Sequence, residues 1–305
     1  MSSASTPGLE TPASPPDPPA TPKKGVGFSL EPWVLLGPSG IWLFVLMVLP
    51  IVFIFSLSLA PGVDFGDIVN PSSLEDYQRV FQAIPLRALG RSLGFAGGCT
   101  IICLVLGFPV AYWIALSAPK RWRNLLLLSF VLPLWTSSLL RTYAWLAILR
   151  RTGVLNTVLD AIGLPTIEIL YTWPAVLVGM SYSYLPYMVL ILYASLEKLD
   201  TRLLEASADL GAGPAETFWK VTIPQTIPGI VAGCALVGIT ALGDFIDPAL
   251  LGGPNNLTVA GLIYKQFISR APDWSFGSAL SMVLILAVSV AIAILIRFGE
   301  AEPKR

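Results

Sequence analysis

Apolar stretches and short polar segments alternate along the 305-residue chain from about residue 33 onward. Six of the stretches lie at about 33–59, 92–117, 124–148, 173–194, 227–250 and 278–297. Each reaches the length of about 20 residues that a helix needs to cross the hydrocarbon core of a bilayer. The pattern therefore predicts an all-α, polytopic membrane protein with six transmembrane helices. Pro50, Pro109, Pro133 and Pro186 fall inside these stretches. A membrane bundle tolerates them, because neighbouring helices and waters re-satisfy the backbone groups a proline frees. The fifth stretch opens PGIVAG, with Gly229 and Gly233 four residues apart, and small residues at that spacing let helices approach closely.

The polar segments frame this domain, which spans 32–298. Residues 1–31 are rich in Pro, Ser and Thr and offer no apolar face. Such a segment cannot bury enough surface to offset its ordering entropy and reads as a disordered tail; residues 299–305 form a second, short one. The apolar run from Trp33 is too long for a signal peptide and reads as an uncleaved first span. Lys120, Arg121 and Arg123 crowd the loop APKRWRN, which places that loop in the cytoplasm; with six spans, both termini are then cytoplasmic too. On the outer side, SLEDYQRVFQAIPLRALGRS (73–92) carries Leu74, Tyr77, Val80, Phe81 and Ile84 at helical spacing behind a Ser73 cap. This is the pattern of one helix lying at the membrane surface.

The inner segment at about 198–226 is different in kind. Asp200 can cap a helix TRLLEASADL, whose Leu203, Ala206, Ser207 and Leu210 recur at i, i+3, i+4 and i+7. Gly211 stands where a helix stops with positive φ. Pro214 suits the first turn of a second short helix, with Glu216 near its N-terminus and Phe218, Trp219 and Val221 behind. Pro224 and Pro228 then mark the entry to the fifth span. Two short helices around a glycine turn have too few residues for a core of their own. Their apolar stripe either folds back on the bundle and the headgroups or is presented to a separate cytoplasmic protein.

Composition agrees with the membrane reading and removes several chemistries. Charged residues make up 12 % of the chain, half the share of about 25 % usual in soluble domains. The formal net charge is zero, which gives no argument for nucleic acid as a partner. The absence of histidine excludes His-based general bases, His metal ligands and Ser-His or Cys-His nucleophile pairs. Cys99, Cys103 and Cys234 all lie in apolar runs and read as small core residues rather than a disulfide framework or zinc site.

Residues 205–224 also carry a resemblance. Glu205, Ala206 and Ser207, then three residues and Gly211, then nine more and Val221-Thr222-Ile223-Pro224, are similar to the cytoplasmic signature of ABC-importer permeases. That signature runs E-A-A, three residues, G, nine residues, I-x-L-P. Ser207 stands for the third position, Val221 for Ile and Ile223 for Leu, and the spacing is intact. RTYAW (141–145), GVLN (153–156), LPYMVLILYASLEKLD (185–200) and GDFIDPALLGG (243–253) resemble the spermidine/putrescine-type, MetI-like permeases, so that the likeness runs from about Trp33 to Arg297. It implies a multi-pass protein of the bacterial cytoplasmic membrane and a polyamine or similar cationic solute. The glycine-broken segment is then the element that couples to ABC ATPase subunits. A second, related permease completing a heterodimer and an extracytoplasmic solute-binding protein are implied as partners. No cofactor is expected on this chain. It contains no G-x-x-x-x-G-K-[ST] string, so ATP and its Mg belong to the ATPase subunits.

Charges at membrane depth cost at least about 2.5–3.5 kcal/mol on insertion scales and face a partner or a wet cavity. Arg141 lies in the third stretch; Asp244 and Asp247 lie near the end of the fifth, three apart on one helical face. One reading pairs Arg141 with Asp244 between helices. The other makes the acidic face part of a solute route, with Trp135, Tyr143 and Trp145 offering cation–π surfaces to amines. Two further classes stay open at this point. A lone ion-coupled carrier would want repeats in matched halves, and none is clear between 33–148 and 173–297. An intramembrane enzyme would need a nucleophile and base, for which Asp244 and Asp247 are the best available pair.

Overall fold

The computed structural model describes residues 31–60 and 73–299, so the predicted tails at 1–30 and 300–305 and part of the first outer segment lie outside the described residues. The described chain is helical. It divides into a unit ending at Pro50 and a unit from Ile51 onward. α1 (Glu31–Ser58) carries Pro38 and Pro50 inside it without a break.

The second unit is built on three long helices, α3 (Ala83–Tyr112), α7 (Trp173–Leu196) and α10 (Ile223–Leu242). Their shared core holds Phe95, Cys99, Cys103, Met180, Met188, Val189, Leu192 and Val237. Cys99 and Cys103 are fully buried and unbridged, as the apolar spacing predicts. The glycine pair of α10 serves its expected purpose. A Cβ on Gly229 would stand 2.3 Å from Cβ of Ser195, and one on Gly233 would stand 2.7 Å from Sδ of Met188. Only glycine permits α10 to lie this close to α7.

Among the described residues, five helices are long and apolar enough to cross a membrane: Gly37–Ser58, Ala83–Ser117, Trp173–Leu196, Pro214–Leu242 and Trp274–Ile294. The third predicted span is not one rod. α4 (Lys120–Val131) and a 3-10 turn (Leu132–Trp135) meet the segment Ser138–Ala161, which opens with α5 (Ser138–Leu149), at a bend of 93°. Pro133 cannot continue an α-ladder, and Thr136 and Ser137 are extended, with ψ of 148° and 135°. Counted as one bent span, this pair brings the total to six.

Two further boundaries differ from expectation. The surface helix predicted at 73–92 is divided: α2 (Glu75–Val80) ends, and Ala83 starts the helix of the second span nine residues before the apolar run begins. Pro85 explains the restart, since the first turn of a helix needs no N–H from it. Ser73 does accept the Glu75 N–H at 3.1 Å. The second inner helix is also not separate. α8 (Thr201–Asp209) stands alone, but α9 (Pro214–Thr217) passes through a π-turn (Phe218–Thr222) into α10. That turn absorbs Pro224, whose ring would otherwise collide with the carbonyl four residues before it.

The remaining elements are α6 (Val154–Ala161), α11 (Ile246–Leu251), α12 (Val259–Ile268) and α13 (Trp274–Gly299). α2, α12 and α13 share a second core around Val80, Val259, Leu262, Phe276 and Leu280. Arg79 fastens it, donating to Asp76 at 2.7 Å and Asp273 at 3.0 Å, with its guanidinium 4.4 Å above the Phe276 ring. Burial works against the Arg79 charge, but the two aspartates outweigh it and hold its pKa above the usual value.

Candidate functional site

The segment singled out at 198–226 folds from local rules. The Asp200 carboxylate accepts the Arg202 N–H at 3.0 Å and starts α8, as an N-cap should. At the other end Gly211 has φ +83°. The Ala212 N–H bonds to the Ser207 carbonyl at 3.1 Å and the Gly211 N–H to the Ala208 carbonyl at 2.9 Å. This is the Schellman pattern, which needs a left-handed residue at Gly211.

The turn brings α9 back against α8, where the hydroxyls of Ser207 and Thr217 meet at 2.9 Å. Ser207, the departure from alanine in the motif, thus clips the two arms together. The stripe does not fold back on the bundle. Leu203 is 41 % exposed, Leu210 89 % and Trp219 68 %. Glu205, Ala206 and Pro224 are exposed as well, and Val221 and Ile223 are half-buried towards the span. In general, contiguous exposed apolar patches mark contacts with another protein or with a membrane. Lys220 and Glu216 pair at 2.6 Å on the exposed side, a contact worth little to stability.

The second candidate cluster forms where two spans break. α10 stops at Leu242 and α11 begins at Ile246, so Asp244 and Asp247 do not share one helical face as expected. Gly243, Asp244 and Phe245 form the break. Oδ1 of Asp244 accepts the Ile246 N–H at 2.9 Å, and its Oδ2 accepts the Tyr184 hydroxyl at 3.2 Å. Asp247 is 1 % exposed. It accepts a hydrogen bond from Thr142 of α5, and its Oδ2 has no hydrogen-bond partner.

Arg141, next in sequence to Thr142, forms no ion pair with Asp244 among the described residues. Its Nε and Nη1 are buried without hydrogen-bond partners, while its charge attracts that of Asp247. A groove of about 340 Å³ beside it is lined by Thr136, Leu140, Arg141, Ala144, Trp145 and Tyr182. The aromatic residues do not gather round the aspartates. Trp145 stands edge-on to Tyr182 at 5.6 Å, and Trp135 and Tyr143 are exposed.

Thr142 and Tyr184 were not singled out from the sequence. Thr142 lies inside a motif that was, as the second residue of RTYAW, and Tyr184 immediately precedes another, LPYM. A hydroxyl within an apolar run next to an intramembrane charge is the signal that could have marked them.

Comparison with known proteins fixes the family. Residues 107–299 match the family model described as "Binding-protein-dependent transport system inner membrane component". Spermidine/putrescine transport system permease protein PotB of Haemophilus influenzae is 40 % identical over 262 residues, which cover 85 % of this chain and 91 % of that protein. The PotB protein of Escherichia coli K12 is 38 % identical over 266 residues, covering 87 % and 96 %. The fold is that of a chain in the crystal structure of a bacterial ABC transporter involved in the import of the acidic polysaccharide alginate. The two agree with a TM-score of 0.74 over 91 % of this chain and 99 % of that one, at 17 % identity. The reading as an enzyme gives way to that of a transport subunit. The chain belongs to the binding-protein-dependent transport system inner membrane components and is a multi-pass, inner-membrane permease component of an ABC importer.

Proposed function

We propose that this permease forms half of a translocation pathway for a polyamine or similar cationic solute, and that α8 and α9 are its handle for an ATP-hydrolysing subunit. The observation that supports the coupling role is the hinged pair itself. Leu203 on α8, Leu210 at its end and Trp219 in the π-turn beyond α9 are exposed on the two arms that meet at Gly211, and the motif's Glu205, Gly211 and Pro224 keep the family's offsets. A helix of nine residues, about 14 Å long at 1.5 Å per residue, transmits displacement where a loose loop would not. On this reading α8 faces the cytoplasm, as do both termini, and ATP with its Mg binds on the ATPase subunits. A related second permease completes the pathway, and an extracytoplasmic binding protein delivers solute to it.

The similarity to PotB proteins along most of the chain supports a polyamine. On this reading Asp244, half-buried at the break between α10 and α11, is the acidic group that meets the solute. Asp247, clasped by Thr142, belongs to the frame. The test is reconstitution. Purified with its co-assembled subunits, the complex should hydrolyse ATP faster when spermidine and the binding protein are added together. Solute movement by this chain alone, driven by an ion gradient and indifferent to ATP, would overturn the proposal.

A further inference from the structure

Phe218 opens the π-turn between α9 and α10, and its ring reaches sideways into α3. It stands edge-on to Phe108 and to Tyr112, with centroids 5.7 Å away in both cases and planes at 89° and 79°. Phe108 and Tyr112 lie one turn apart on α3, stacked at 6.5 Å and 18°. Edge-to-face contact is the preferred arrangement of aromatic rings, and here one ring is wedged between two. Tyr112 is the last residue of α3 before a second π-turn, Trp113–Ser117. The Ala115 carbonyl in that turn accepts a bond from Nη2 of Arg123, on α4, at 2.7 Å. On the other side of Phe218, Thr217 holds α8 through Ser207. Two irregular turns thus face each other across one aromatic contact, and π-turns inside helices occur frequently at functional positions.

We infer that Phe218, wedged between Phe108 and Tyr112, is the positioning residue through which displacement of the α8–α9 handle reaches α3 as well as α10. The inference rests on the coupling role proposed above. Backbone continuity through Phe218–Thr222 moves α10 with the handle, but nothing covalent ties the handle to α3. The aromatic wedge supplies that link, so both walls of the central helix trio move together. Phe218→Leu keeps an apolar side chain in the gap and removes the ring edge.

The experiment uses the whole complex in proteoliposomes, with spermidine as the probe solute. Phe218→Leu should lower the spermidine moved per ATP hydrolysed by about tenfold, within the usual range of coupling between sites. Its KM for spermidine and its yield of assembled complex should stay at wild-type values. Tyr112→Leu should produce the same loss, and the double variant no more than either alone, as expected of residues acting as one unit. Phe218→Tyr, which keeps the edge, should restore coupling. Wild-type stoichiometry in Phe218→Leu overturns the inference. Should that variant fail to assemble, Tyr112→Leu decides, since its ring is half-exposed. A wild-type complex whose ATP hydrolysis ignores spermidine and binding protein would instead strike the proposed function beneath it.

Discussion

Thr142 of α5 donates a hydrogen bond to the buried carboxylate of Asp247 in α11, and this bond joins the two places where apolar runs fail to be continuous helices. Replacing Thr142 with Val would take that hydrogen bond from the buried carboxylate. Leaving a buried polar group unpaired costs about 1–3 kcal/mol. The detergent-purified Thr142→Val protein should therefore unfold at lower temperature than the parent, with Thr142→Ser close to it. Equal melting of Val and parent would mean that Asp247 is held by other groups.

At Gly211, φ of +83° is closed to proline, whose ring fixes φ near −65°. Gly211→Pro should dismantle the turn between α8 and α9 while leaving the span helices intact. Glu205→Lys reverses a charge on the exposed arm without touching the turn. Both variants should assemble, show the parent's far-ultraviolet spectrum and lose solute uptake by about tenfold or more, the scale of a lost coupling free energy. Parental uptake rates in both would remove the handle from the mechanism.

For Asp244 the informative comparison is between solutes. Asp244→Asn keeps an acceptor for the Ile246 N–H, offers the Tyr184 hydroxyl an amide N–H in place of the second carboxylate oxygen, and discards the charge. Uptake of a polycation should weaken by about tenfold in KM, equivalent to about 1.4 kcal/mol of lost attraction, with little change for a neutral solute. An equal effect on both would assign Asp244 to the frame alongside Asp247.

Close approach of α7 and α10 can be tested by overfilling it. A Cβ on Gly229 meets Ser195 at 2.3 Å, and forcing atoms into a packed contact costs about 1–3 kcal/mol. Gly229→Ala should lower thermal stability. Ser195→Gly in the same chain should restore most of it, because the two positions share one contact and their effects are not additive.

Much of this architecture is written in local pattern. α7 and α13 are continuous apolar runs, and the structure places them close to where hydropathy does. Asp200 and Gly211 declare the ends of α8 by cap chemistry alone, and Gly229 and Gly233 announce a close crossing. What stayed hidden is what depends on distant partners. Hydropathy cannot separate a straight span from a bent one, since both need apolar side chains. Thus the break at Thr136–Ser137 and the one at Gly243–Phe245 looked like ordinary span interiors. Asp244 and Asp247 were placed on one helical face because a three-residue spacing implies it, yet Asp244 leaves the helix to cap the next. Tyr184 and Thr142 became visible only once folding had set them against those carboxylates.

The π-turn at Phe218–Thr222 has a geometric effect on everything that follows it. Such a turn holds one more residue than an α-turn, so it dials the downstream helix round by about 100°. Gly229 and Gly233 meet Ser195 and Met188 only at that azimuth. Wind the same residues as regular α-helix instead, and the smooth side of α10 would swing away from α7 while bulkier side chains took its place. The angular phase of a whole membrane-crossing rod is thus set by a single surplus amino acid at its base.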